Sequence, residues 1–192
     1  MEEKVNHYYA YLLEQAMEDG ELVSVNVDPF DPEGIIVGYV EAIDNTHFLM
    51  SEYMPWGEFD SYRIRKLEGV YSVFRGEEFE NRLTSVLHFR GQDHLRIRPA
   101  LRKKATVYGA VLRYCHMTNQ IATVYLGMQA YNGRLLGYND LKFDMDMMNY
   151  MGQPDGQDYF VIKEVDIFQF GGGEERMFAD LEKLAGKQEN QS

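Results

Sequence analysis

The sequence predicts a mainly β protein with flanking helices, organised as two tandem five-stranded small barrels, each preceded and followed by a helix. Three observations lead there: a self-similarity at a spacing of about 99 residues, short alternating segments with brief connections, and amphipathic stretches at the ends of each half. Setting residue i against i+99 places Glu21-Leu-Val-Ser-Val-Asn-Val-Asp28 on Gln120-Ile-Ala-Thr-Val-Tyr-Leu-Gly127. Gly34 falls on Gly133, Gly38 on Gly137 and Tyr39 on Tyr138, with Tyr9 on Tyr108, Leu13 on Leu112 and Ala16 on Cys115 upstream. Later the register slips, and Gly76-Glu-Glu78 meets Gly173-Glu-Glu175. The expected domains are residues 1–98 and 99–192.

Each element has its local cause. Over residues 2–18, Val5, Tyr8, Tyr9, Leu12, Leu13 and Ala16 recur at three- and four-residue steps, the pattern of one apolar helix face, and Gly20 stops the helix. Leu22–Val27 alternates apolar and polar residues as a half-buried strand does. Asp28-Pro-Phe-Asp-Pro-Glu-Gly34 is turn-rich. Strands follow near 35–43, 46–53, 60–67 and 69–74, with Gly38 and Gly137 where a barrel strand bends sharply. A helix then runs along Phe79, Leu83, Val86 and Leu87, its leading acids at the positive end of the helix dipole. The second half repeats this with a helix near 103–117, strands from 120 to 170 and a helix near 174–185. Residues 186–192 are expected to fray.

At this point the chain resembles the Sm-like (LSm) proteins, whose SH3-like small barrels also place a helix before five strands. Gly38-Tyr-Val-Glu-Ala-Ile-Asp44 is similar to the first Sm motif, and Gly137 followed by Phe143-Asp144 is a looser copy. The resemblance covers roughly residues 3–74 and 102–170. It implies a barrel fold and assembly through strand edges. The RNA-binding residues do not match. Phe48 stands where the nucleotide-pocket asparagine is expected, and Asn149 falls one residue late in the second half. Ile64-Arg65 is followed by Lys66-Leu-Glu-Gly69 at a different spacing from the second motif, and Ile162-Lys-Glu-Val165 has no glycine.

Composition narrows the function classes. The 192 residues carry 31 acids against 19 Lys and Arg, a net charge of −12, with 45% hydrophobic residues. Such a chain folds, and its field repels duplex nucleic acid and anionic membrane. One Cys closes no intrachain bridge, the Met-Glu-Glu-Lys start lacks a secretory pattern, and no apolar run reaches the length of a membrane span; a cytoplasmic protein is expected. Of the acidic excess, −10 lies in residues 1–99 and −2 in 100–192. A basic seam gathers Arg90, Arg96, Arg98, Arg102, Lys103 and Lys104 around Asp93.

No catalytic set emerges, and neither cofactor nor metal is expected. Cys115, opposite Ala16, reads as a small core residue. His88, Asp93 and His94 match no metal-ligand spacing. Asp28, Asp31 and Glu33 before Gly34 read as a turn, not a calcium loop. Gly171-Gly-Gly173 precedes Glu174 and Glu175, which would repel a phosphate. The Met145, Met147, Met148 and Met151 run is expected to pack mainly in the core. Trp56, within Tyr53-Met-Pro-Trp-Gly-Glu-Phe59, is either a recognition tip or a lid on its own barrel. The expectation is a non-catalytic interaction or assembly module that self-associates or binds a protein through Trp56, Tyr53, Arg96, Arg98 and Arg102. The alternative is a single-stranded RNA binder using the seam at residues 90–104.

Overall fold

In the computed structural model, residues 2–27, 34–92, 97 and 105–189 are described. The chain divides into two compact units, Met1–Val107 and Tyr108–Ser192, where the sequence places the boundary at 98/99.

The first unit contains α1 (Glu2–Asp19), β1 (Leu22–Asn26), β2 (Ile35–Ile43), β3 (His47–Tyr53), β4 (Phe59–Lys66), β5 (Ser72–Arg75) and α2 (Glu78–Phe89). Its strands are antiparallel in the order β5-β1-β2-β3-β4. β4 and β5 stand at opposite ends of this order, so the sheet is open. The closed five-stranded barrel expected from the sequence, and with it the Sm-like and SH3-like assignment, is therefore corrected.

The reason lies in the two faces of the sheet. Val23, Val25, Val40, Phe48 and Met50 pack with Leu13 and Ala16 of α1. Leu22, Val37, Tyr39 and Tyr53 pack with Leu83 and Leu87 of α2. Each face has its own helix, whereas a closed barrel needs only one filled interior. β2 accordingly has six consecutive buried residues, Val37 to Ala42, as a strand covered on both faces should.

The second unit repeats the pattern with α3 (Val107–Thr118), whose first residue, Val107, is the last of the first unit, and with β6 (Ile121–Leu126), β7 (Gln129–Tyr138), β8 (Lys142–Met148), β9 (Pro154–Val161), β10 (Ile167–Phe170) and α4 (Gly173–Glu189). Its order, β10-β6-β7-β8-β9, is again open. The core is more aromatic here. Phe143 lies 5.4 Å from Phe160 and 5.5 Å from Phe168, and Phe168 meets Tyr108 edge-on at 6.1 Å. Cys115 is fully buried, which pushes its thiol pKa far up. Met145 and Met147 are buried as expected, whereas Met151 is half exposed.

The repeat holds strand by strand, in a different register from the one the sequence suggests. β1 and β6 correspond at i+99, but the connection after β6 is only Gly127-Met128, and everything beyond it corresponds at i+95. The ladders show this directly: Val23 pairs with Gly38 and Ala122 with Gly133. The bulge at Val40/Ala42 recurs at Leu135/Gly137. Gly38 therefore corresponds to Gly133, not Gly137. A Cβ on Gly38 would stand 2.1 Å from the Ser51 carbonyl oxygen, and one on Gly133 would stand 2.4 Å from that of Asp146. The nearest atom to a Cβ on Gly137 is the Asp144 carboxylate at 3.9 Å. Gly38→Ala and Gly133→Ala should each cost about 1–3 kcal/mol or more, because a backbone carbonyl cannot step aside. Gly137→Ala should stay within about 0.5 kcal/mol. Urea unfolding of the three variants checks this order.

Candidate functional site

The β3–β4 hairpin turns through Met54-Pro-Trp-Gly57. The Gly57 amide donates to the Met54 carbonyl at 2.8 Å, and the Met54 amide to the Glu58 carbonyl at 2.8 Å. Gly57 has φ of +84°, which glycine adopts without strain. A Cβ there would lie 2.8 Å from Val86 Cγ1 of α2, so the missing side chain is what lets the turn sit on the helix. Arg90 Nη1 donates to the Trp56 carbonyl at 2.8 Å, and the indole Nε1 donates to Glu58 Oε2 at 2.9 Å. The backbone of this tip is thus held at several points while the Trp56 side chain stays 57% exposed. Trp56 does not lid the core.

The second unit builds the same tip. Asn149-Tyr-Met-Gly152 closes with the Gly152 amide on the Asn149 carbonyl at 2.9 Å and the Asn149 amide on the Gln153 carbonyl at 2.9 Å. Gly152 has φ of +73°, and a Cβ on it would stand 2.7 Å from Leu181 Cβ of α4. Met151 occupies the place of Trp56, and Leu181 that of Val86. Beyond them, Phe89 on α2 is 90% exposed and its counterpart Leu184 on α4 is 57% exposed.

Of the residues singled out from sequence, Trp56 stands on this surface. Tyr53 does not: it is buried, packs edge-on against Tyr39 and Phe59 at 5.9 and 5.6 Å, and donates its hydroxyl to the Gln92 carbonyl at 3.1 Å. Arg96, Arg98 and Arg102 lie outside the described residues, as do Asp93, His94, Asp28, Asp31 and Glu33. Arg65, placed near the second Sm motif, donates to Glu52 at 2.8 Å from Nε, and Arg63 donates to the same carboxylate at 2.6 Å. Buried Glu52 is thus neutralised by two guanidinium groups.

Two polar constellations have no counterpart among the sequence expectations. In each unit a buried glutamate near the start of the last helix accepts a hydroxyl from the first strand: Glu80 from Ser24, and Glu175 from Thr123 at 2.5 Å. Glu175 also accepts from Gln169 Nε2 at 2.9 Å and, through Oε2, from the Gly172 amide at 2.8 Å, reaching back over the helix start as a capping box does. These carboxylates tie helix to sheet. The correspondence is present in the sequence, where Ser24 and Thr123 align at i+99 and Glu80 and Glu175 at i+95. Aligning Gly76 with Gly173 instead of Gly171 conceals it.

Asp44 heads the β2–β3 turn. Its Oδ1 accepts the Thr46 and His47 amides, both at 2.8 Å, and the Thr46 hydroxyl at 2.9 Å; its Oδ2 accepts the Val107 amide at 2.6 Å. Asn139 does the corresponding work in the second unit, accepting the Leu141 and Lys142 amides at 2.8 and 3.0 Å. The equivalent of Asp44 is therefore Asn139, not Asp144. This is turn chemistry. Among the described residues, no group of three His, Cys, Asp or Glu is arranged to hold a metal ion, and no helix is long and apolar enough to cross a membrane.

No protein-family model, curated protein or solved structure matches this chain. With the strand order open and no family match, the Sm-like assignment does not stand.

Two measurements follow from these side chains. Thr123→Val removes one donor to a buried carboxylate and should cost about 1.5–3 kcal/mol in chemical denaturation. Burial penalises the charged Asp44, but the amides of Val107, Thr46 and His47 outweigh that and hold its pKa below the ordinary 3.8; burial also holds His47 below 6.5. The unfolded chain therefore takes up a proton at His47 before the folded one does, and stability should fall as pH drops through 6.5. The Asp44 contribution is present above 3.8 and is lost as pH falls through its lower folded value. In melting curves across pH, His47→Gln should flatten the first step and Asp44→Asn the second.

Proposed function

We propose that this chain is a non-catalytic interaction module whose contact surface is the β-hairpin tip together with the adjoining helix, built once in each unit. The carrying observation is the repetition of exposed apolar side chains at equivalent places. Trp56 and Phe89 in the first unit correspond to Met151 and Leu184 in the second, and all four are more than half exposed. The units have diverged at most positions, yet both keep large apolar groups in water here, where each forgoes part of the roughly 1.5–3 kcal/mol that full burial contributes. Such a cost is offset when a partner covers the surface.

The open sheet edges support this reading less. β9 is an edge strand whose residues Pro154 to Tyr159 are all exposed, but Pro154, Asp155, Gly156 and Asp158 are the residue types that blunt an edge against added strands. β5 has only four residues.

A contact role and a lid role for Trp56 separate cleanly. Trp56→Ser should leave thermal stability within about 0.5 kcal/mol of wild type, as for a surface substitution. A photo-crosslinking residue at position 56 or 151 should trap a protein in the cells that make the chain. A large loss of stability with Trp56→Ser, or adducts confined to nucleic acid, overturns the proposal.

A further inference from the structure

α2 and α4 occupy equivalent places in their units but are fastened to their sheets differently. α2 buries Leu83 and Leu87, one turn apart, among Leu22, Val37, Tyr39 and Tyr53. At i+95, Leu83 corresponds to buried Phe178, but Leu87 corresponds to Glu182 and Tyr39 to Arg134. An ion pair therefore stands where the first unit has apolar side chains. Arg134 Nη2 donates to Glu182 Oε2 at 2.5 Å, and its Nη1 donates to the Asn119 carbonyl. The two side chains are 20% and 44% exposed. Among the described side chains of α4, none beyond Phe178 is buried.

The start of α4 is the opposite case. Buried Glu175 is bonded to Thr123, Gln169 and the Gly172 amide, and Arg176 Nη1 donates to the Gly171 carbonyl at 2.7 Å. The first unit has no equal to this anchor, because Phe74 stands opposite Ser24 where Gln169 stands opposite Thr123. Salt reaches a half-exposed ion pair and screens it, whereas buried bonds and apolar contacts are little affected.

We propose that α4 is a hinged strap: it stays anchored from Gly172 to Phe178, and its far part, from Leu181 onward, lifts when the Arg134–Glu182 latch opens. α2 has no such motion. Parting Arg134 from Glu182 returns two half-exposed charges to water, whereas lifting α2 exposes the fully buried Leu87. In the closed state Leu181 rests on the Gly152 turn, so opening also frees the Met151 tip. The inference deepens the interaction reading, because Met151 and Leu184 share one surface only while the strap is closed. The latch is measured without any partner, so its failure is separate from the failure of that reading.

Hydrogen exchange of the full chain, resolved by residue with NMR, reads the strap. A lifted segment this short does not hold a helix in water, so its amides exchange. Raising NaCl from about 0.05 M to about 1 M should speed the amides of Leu181 to Leu184 about threefold relative to those of Leu83 to Leu87. The Gly172 and Phe178 amides should not follow. Glu182→Gln should give a similar acceleration at low salt and remove the salt response. Arg134→Tyr with Glu182→Leu, which installs the pair of the first unit, should slow exchange at Leu181 to Leu184 about tenfold. Exchange there that ignores both salt and Glu182→Gln overturns the latch, whether or not the double variant folds. Acceleration of Gly172 and Phe178 in step with Leu181 to Leu184 overturns the hinge.

Discussion

The close approach of backbones at Gly38 and Gly133 is the constraint on which each unit depends. With a carbonyl oxygen of the neighbouring strand where a Cβ would be, only glycine fits. The bulge that follows within a few residues, at Val40/Ala42 and at Leu135/Gly137, lets the strand bend and resume pairing one residue out of step. Glycine and bulge together set the register of the next two strands. That register in turn decides where the hairpin tip meets the last helix.

A second glycine then converts sheet geometry into surface. Gly57 and Gly152 let the turn rest directly on α2 and α4, so the tip is held by the helix while its apolar residue points outward. The helices are themselves tied to the first strand of their units by the buried glutamates at positions 80 and 175. A rigid exposed side chain loses little freedom on binding, which is why such tips make good contact points. Core, tether and tip are linked in one chain of causes, and the second unit repeats each link with different residues: Thr123 for Ser24, Asn139 for Asp44, Met151 for Trp56.

Much of this was legible in the sequence, and the failures have identifiable causes. The order of helices and strands and the tandem repeat follow from periodicity and turn residues, which are local. Cys115 reads as a core residue and is buried, because its counterpart Ala16 lies before the length change, where the i+99 register holds. The i+99 spacing pairs Gly38 with the wrong glycine, because four residues are lost at the β6–β7 turn and two glycines lie four apart at positions 133 and 137. The same offset hid Glu80 and Glu175. Tyr53 and Trp56 are three residues apart in one motif, yet one is core and the other surface, since Tyr53 still belongs to β3 and Trp56 to the turn.

The helices and strands, their repetition and a substantial apolar core are all written into the local order of residues. These depend on side-chain period and backbone preference, which act over a few residues. Packing between distant segments leaves the strand order open, selects the glycines that carry the close approaches, and keeps particular apolar residues in water. Those outcomes depend on residues distant in sequence. An open sheet and a closed barrel can share the same strands and hairpins, and differ in whether the second apolar face is covered by a helix.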